Sequence, residues 1–273
     1  MKLWVLGSGS GGNAILVESA GSRILVDAGF SPRVLKKRLA VAGVAPESIE
    51  AVVATHEHTD HIKGVAAAAR KWGWTIVSTA GTRMMCPDWA GLKTILTPRK
   101  SSVVIGDFHL EMVPVSHDAN EPIAVIVTSV IEGARAGIVY DLGHVTETIM
   151  LALDKLDMLV IEANHDEGML RAGPYPPSVQ ARIRGKFGHL SNGDAAAAAS
   201  RSIHSTLNNI VLAHLSEQNN NPRTALRTVG DALRRASFKG RLTAASQNSV
   251  VGPISIGPGL STASAPIQLA LGI

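Results

Sequence analysis

Apolar positions along the chain fall into two periods. Short β-branched runs, "KLWVL" (2–6), "NAILVE" (13–18), "RILVD" (23–27) and "AVVAT" (51–55), are bounded by Gly, Ser or Asp and predict strands. Between the last two, "SPRVLKKRLAVAG" offers a serine cap, a proline at the first helical position and a closing glycine, which predicts a helix. "IKGVAAAARKWG" predicts another. The strand series resumes with "TIVST", "FHLEMVPV", "IAVIVTSV", "AGIVYD", "LDMLVIEA" and "NNIVLAHL", and the helices "SNGDAAAAASRSI" and "NPRTALRTVGDALRRA" interleave with its later members. Strand-rich runs followed by strands separated by helices, twice over, predict an α/β protein of two packed sheets with helices outside.

Composition narrows the picture only slightly. With 273 residues, 45% of them hydrophobic, the chain can bury a sizeable core, and one domain spanning 1–273 suffices. From Val251 onward the Gly, Pro, Ser and Ala content predicts a loosely held tail. A formal charge of +4 favours an anionic partner such as nucleic acid, without requiring one. Cys86 is the single cysteine, so no intramolecular disulfide or thiolate cluster can form, and any metal must be held by nitrogen and oxygen. Met84, Met85 and Cys86 are expected in or near the core. The N-terminus turns glycine-rich too early for a secretory signal, and no apolar run reaches the length of a membrane span. A cytoplasmic protein is the expectation.

The chemistry concentrates in "THEHTDHIKG" (55–64). His56 and His58, two apart and directly after a strand, can aim their imidazoles at one metal ion. Asp60 and His61, further round the loop, can reach a second. The plain alternative is a polar loop whose histidines only hydrogen-bond, but so dense a mixture of N and O donors is rarely found without a metal.

On His56, His58, Asp60 and His61, which stand as His-x-His-x-Asp-His, the chain resembles the metallo-β-lactamase-fold hydrolases. That resemblance implies an αββα sandwich with the site at the sheet edges. It also implies further ligands at His117 in "VPVSHDANEP", Asp141 in "IVYDLGH" and His214 in "IVLAHLS", each closing a strand. One metal would sit on His56, His58 and His117, a second on Asp60, His61 and His214, with Asp141 bridging. Asp27 in "ILVDAG" matches an early aspartate that supports a ligand histidine from behind. An imidazole at His58, where redox members carry a carboxylate, favours hydrolysis with zinc or manganese.

Further stretches, "GSGSGGN" (7–13), "IEANHDEGML" (161–170), "FGHLSNGDAA" (187–196) and "LAHLSEQNNNPRTAL" (212–226), are similar to the YycJ/WalJ group of bacterial nucleases. "IEANH" and "GHLS" also resemble the more distant tRNA 3′-processing nucleases, where a glutamate orients a proton-donating histidine; Glu162 and His189 occupy the matching places. What the likeness implies is attack on a phosphodiester by a metal-activated hydroxide, steered by Asp60, with His189 protonating the departing oxygen. The short span between Asp141 and His214 excludes a large insertion domain, so accessible single strands or ends are the expected substrates. The glycine-rich loop reads either as a tight turn or as a phosphate contact through Ser8, Ser10 and Asn13. Asn164 and His165 read either as a solvated turn or as substrate contacts. A thioesterase or a lactone or lactam hydrolase on the same metals is the alternative function, and an inactive binding module a third.

Overall fold

The computed structural model describes residues 1–257 and 268–271. Strands β1 (Lys2–Gly7), β2 (Ala14–Ser19), β3 (Ser22–Val26), β4 (Ala51–Val53), β5 (Thr75–Ser78) and β6 (Thr94–Leu96) follow one another across a first sheet. The second takes β7 (Ser102–Ile105), β8 (Phe108–Pro114), β9 (Ile123–Ser129), β10 (Arg135–Val139), β11 (Met158–Glu162), β12 (Asn209–Ala213) and β13 (Arg241–Ala244). β14 (Val251–Ser255) then returns to pair with β1, and β15 (Gln268–Leu271) runs beside β13. In each sheet an antiparallel part gives way to a parallel one, at β3–β4 and at β10–β11.

The helices are α1 (Pro32–Val41), α2 (Thr59–Ile62), α3 (Val65–Trp72), α4 (Ala80–Met84), α5 (Glu147–Ala152), α6 (Glu167–Ala172), α7 (Pro177–Ile183), α8 (Asn192–Arg201) and α9 (Pro222–Arg235). Alternation within the strands explains where they sit. In β1, Leu3 and Val5 enter the core between the sheets, whereas Trp4 and Leu6 face the opposite way, into a layer shared with Leu35 and Leu39 of α1 and Val65 and Ala69 of α3. In β11, Met158 and Val160 enter the central core, and Leu159 and Ile161 pack with Ala195 and Ala199 of α8 and Val229 and Leu233 of α9. Both faces of both sheets are covered along most strands, though β7 leaves Val104 exposed, and each fully buried aliphatic side chain contributes about 1.5–3 kcal/mol. The result is the expected αββα sandwich.

Three expectations need correction. The tail read as loose from Val251 begins with a strand paired antiparallel to β1, where Lys2 stands opposite Ser255; its remainder past residue 257, apart from 268–271, lies outside the described residues. Met84 and Met85 are exposed, at 70% and 54%, because the short helix α4 buries its Gly81 and Thr82 side instead; only Cys86 enters the core. Ser31 does precede α1, but its hydroxyl makes no capping hydrogen bond. Among the described residues, no helix is long and apolar enough to cross a membrane.

Candidate metal centre

β1, β3, β4, β8, β10, β11 and β12 all end at one edge of the sandwich, and the candidate residues lie at these strand ends or in the segments that follow them, Glu162 closing β11 and His189 preceding α8. Three of those residues, Asp27, Asp141 and His214, have φ of 61°, 54° and 53°. A side chain other than glycine adopts this left-handed backbone at a cost of about 1–3 kcal/mol. Each follows β3, β10 or β12 within two residues, so the chain reverses sharply and leaves a short polar side chain over the edge.

The seven expected ligands meet there. His56, His58 and His117 form one set whose donor atoms lie within 4.8 Å of each other; Asp60, His61 and His214 form a second, and His56, His61 and Asp141 link the two. His58 Nδ1 is 3.2 Å from His117 Nε2, His61 Nε2 is 2.8 Å from Asp141 Oδ2, and His214 Nε2 is 3.3 Å from Asp60 Oδ2. His56 Nε2 is buried without a hydrogen-bond partner, and Asp141 Oδ2 makes no hydrogen bond of good geometry. An unpartnered buried imidazole nitrogen facing other nitrogens is costly by itself and suits a cation. The all-N/O donor set fits zinc or manganese.

A second layer holds these side chains in place. Asp27 Oδ2 lies 2.7 Å from His61 Nδ1 and accepts from Thr55 Oγ1 and, at 2.7 Å, from the Tyr140 hydroxyl; Thr55 Oγ1 is 3.1 Å from His56 Nδ1. Glu162, fully buried, accepts from the backbone of Leu142 and Leu190 through Oε2. Its Oε1 lies 2.7 Å from His189 Nδ1 and 3.1 Å from His214 Nδ1. With Nδ1 engaged, each ring turns its Nε2 edge outward.

The charges follow from these contacts. Burial pushes the His56 imidazole well down, and His61 beside it adds to that. Burial opposes charge on His61 as well, yet Asp141 and Asp27 hold its pKa well above the ordinary range. His214 behaves likewise, raised to about 9 against burial by Asp141, Asp60 and Glu162. Despite burial, Asp60 is held far down by His214 and His61, and Glu162 falls to about 2 beside His189. The carboxylates thus favour protons on His61 and His214, and a metal bound by these rings would compete with those protons.

A cavity of about 230 Å³ opens over the ligands, lined also by Ser10, Asn164, Arg182 and His189. Here the weaker expectations divide. Ser10 and Asn164 reach the cavity, but Ser8 and Asn13 are buried and serve the scaffold. Ser8 Oγ accepts from the His214 backbone and donates to Asn13 Oδ1, and Asn13 accepts from Gly9 as well. The glycine loop is therefore a turn in which Ser8 and Asn13 face inward and Ser10 faces the cavity. His165 is also buried, beside Ser191, and does not line the cavity.

Other contributors are harder to read from the sequence. Asn220, inside "QNNNP", donates to the carbonyls of Ala163 and Asn164 and pairs with Asn192, bracing three loops; a run of asparagines after a strand was the available sign. Asp118, next to His117, lies 3.3 Å from that ring and accepts from two nitrogens of Arg182, a contact only the fold brings about.

Two sheets sandwiched by helices, with this histidine and carboxylate cluster at their edge, define a hydrolase of the metallo-β-lactamase fold. Residues 22–214 match the Beta-lactamase superfamily domain. Exodeoxyribonuclease WalJ of Streptococcus pneumoniae (strain D39) is 33% identical over 243 residues, 87% of this chain and 90% of that protein. Exodeoxyribonuclease YycJ of Bacillus anthracis is 33% identical over 240 residues, 86% and 89% of the two. The fold is shared with YhfI from Bacillus subtilis, a metallo-β-lactamase fold protein, at a TM-score of 0.70 and 16% identity, covering 92% of this chain and 99% of that one. The chain belongs to the β-lactamase superfamily, alongside the WalJ and YycJ exodeoxyribonucleases.

Proposed function

We propose that the protein is a metal-dependent nuclease that hydrolyses phosphodiester bonds in single-stranded nucleic acid or at its ends. The observation that carries this reading is the Glu162–His189 pair: His189 lines the cavity together with Asp60, Asp141 and His214, and the buried Glu162 lies 2.7 Å behind its ring. A thioester expels a thiolate that departs without help, whereas a nucleic-acid phosphodiester expels a poorly leaving sugar oxygen that needs a proton. The names of the WalJ and YycJ relatives support the same reading.

His56, His58 and His117 would hold one divalent ion, Asp60, His61 and His214 a second, with Asp141 between them. When bound, the ions supply activated water and neutralise charge on the phosphate oxygens. The chain does the rest. His189 carries the proton: burial opposes its charge, but Glu162 and Asp141 raise its pKa well above the ordinary range, which suits a proton donor. Glu162 fixes Nδ1 and leaves Nε2 to serve the departing oxygen. Asp60 orients the attacking water, and Asp27, through His61, fixes the second ligand set.

Purified protein loaded with zinc or manganese is tested on end-labelled single-stranded DNA, RNA, duplex DNA, bis-p-nitrophenyl phosphate and a thioester panel. Cleavage of single strands and of the activated phosphodiester, lost on chelation, is the expected result. Turnover of thioesters with none of any phosphodiester would replace this reading with the acyl-hydrolase one.

A further inference from the structure

Beside the ligand cavity lies a second, of about 460 Å³, and His117 lines both. Arg99, His144, Lys186 and Phe187 also line it. Phe187 is out of place for a residue of its kind. The other three phenylalanines, Phe30, Phe108 and Phe238, are buried, whereas Phe187 is 55% exposed. An aromatic ring left in water forgoes about 1.5–3 kcal/mol of burial, and this one does so on a loop that is firmly fixed.

The loop is fixed by the site itself. The carbonyl of Phe187 accepts from the Asp118 backbone at 3.1 Å, and that of Lys186 accepts from Ser116 Oγ at 2.9 Å. His144 Nδ1 lies 3.2 Å from the same Lys186 oxygen, and His117 Nδ1 lies 3.1 Å from the carbonyl of Gly188. The hydrogen bond that orients a candidate metal ligand thus also sets the position of the neighbouring aromatic. The charge is mostly positive as well: Arg99 and Lys186 are exposed cations against one carboxylate in the same wall, Glu121, which is turned to the Gly81 backbone, accepting from it at 2.7 Å.

We propose that this second cavity holds the nucleotide adjoining the scissile phosphate, its base stacked on Phe187 and its backbone phosphate met by Arg99 and Lys186. The inference rests on the nuclease reading and extends it by giving the strand a path, across His117 from one cavity into the other. A rigid, exposed aromatic next to cations is the arrangement by which single strands are bound without regard to sequence. A base held in its duplex partner has no free face to offer.

The test uses the metal-loaded full chain in a His189→Ala background, so that the strand stays intact, and single-stranded oligonucleotides with 2-aminopurine at successive positions. Fluorescence should be quenched at one position next to the cleavage site. Phe187→Leu should abolish that quench and weaken binding roughly ten- to hundredfold, the fold-change of a lost base–aromatic stack. Phe187→Tyr should restore both. With His189 intact, Phe187→Leu should raise KM for the oligonucleotide far more than it lowers kcat. Metal content and thermal melting of each variant establish that it is folded. Strand binding indifferent to Phe187, or quenching at no particular position, overturns the stack while leaving the nuclease reading in place. A wild-type protein that neither binds nor cleaves any oligonucleotide overturns the nuclease reading and this inference with it.

Discussion

His117 and His189 share one cleft, with ring centroids 5.1 Å apart, and differ in what holds Nδ1. His117 faces a neutral carbonyl, and burial keeps its pKa low, which suits a metal ligand. His189 faces the Glu162 carboxylate, which raises its pKa and suits a proton donor. Replacing His189 by Ala should therefore leave metal content intact while slowing the chemical step on a nucleic-acid strand by roughly a hundredfold to ten-thousandfold. The loss should be much smaller for bis-p-nitrophenyl phosphate, whose leaving group needs no proton. Loss of metal in that variant would instead make His189 a ligand, since its donor atoms also cluster with Asp141, Glu162 and His214. Glu162→Gln is a less selective probe, because Oε1 also contacts His214, and it should lower metal retention together with rate. At this scale the sequence is legible where donor type and spacing carry the information, as at His56, His58, Asp60 and His61. Ser8 and Asn13 show where legibility stops: a polar side chain in a glycine loop reads the same whether it faces substrate or, as here, the backbone of His214 for Ser8 and of Gly9 for Asn13.

The strand-end loops depend on close backbone approaches that fix helices α2 and α3 against the loop after β3. Gly64 donates to the Ala28 carbonyl, and Ala28 donates to the carbonyl of His61. A Cβ at Gly64 would meet the Phe30 carbonyl oxygen at 1.9 Å and that of Ala28 at 2.9 Å, both backbone atoms that cannot swing aside. Gly64→Ala should thus displace the segment carrying Asp60 and His61, destabilising the protein by about 1–3 kcal/mol and reducing bound metal. Gly193→Ala, near the start of α8 with only Ser191 Oγ within 4 Å of the new Cβ, should be neutral or stabilising by up to about 1 kcal/mol. Thermal melting and metal analysis of the two variants separate a local steric effect from a general intolerance of substitution. The long strands and helices are legible because alternation and 3.6-residue periodicity span several turns of pattern. β14 is not, since Gly252 and Pro253 within it carry a loop composition and its partner β1 lies at the other end of the chain. The one- and two-turn helices α4, α6 and α7 are too short to show a period.

The two sheets are tied together at both edges. Away from the site, Ser19 and Ser22 of the first sheet meet Ser129 and Asp107 of the second; Asp107 accepts from Ser129 Oγ at 2.6 Å and from the Ile131 backbone at 2.7 Å. These hydrogen bonds outweigh burial and hold the Asp107 carboxyl below its ordinary pKa. A depressed folded-state pKa contributes stability that is present above the unfolded value and lost as pH falls through the folded one. Asp107→Asn should therefore cost about 1.5–3 kcal/mol at pH 7, the worth of hydrogen bonds to a charged group, and the gap to wild type should close below about pH 4 in denaturant titrations. At the site edge the Tyr140 hydroxyl donates to Asp27 and the His214 backbone to Ser8 Oγ, and the proposed metals would add to these links. His56, His58, Asp60 and His61 come from the first sheet and His117, Asp141 and His214 from the second, so each ion would bridge the sandwich. The family resemblance lets the sequence suggest the ligand set, but only the topology shows that its two halves come from different sheets. A ligand bound by the folded state alone stabilises it by RT ln(1 + [L]/Kd), about 4 kcal/mol at a thousandfold excess over Kd. Chelation should accordingly lower the melting temperature, and zinc or manganese should restore it. His58→Ala in one half and His117→Ala in the other, both members of the same ligand set, should each remove a similar part of that rise, because neither sheet holds the ion alone. A melting temperature indifferent to metal, or a His117→Ala variant stabilised by metal as fully as the wild type, would show that the ion does not join the two sheets.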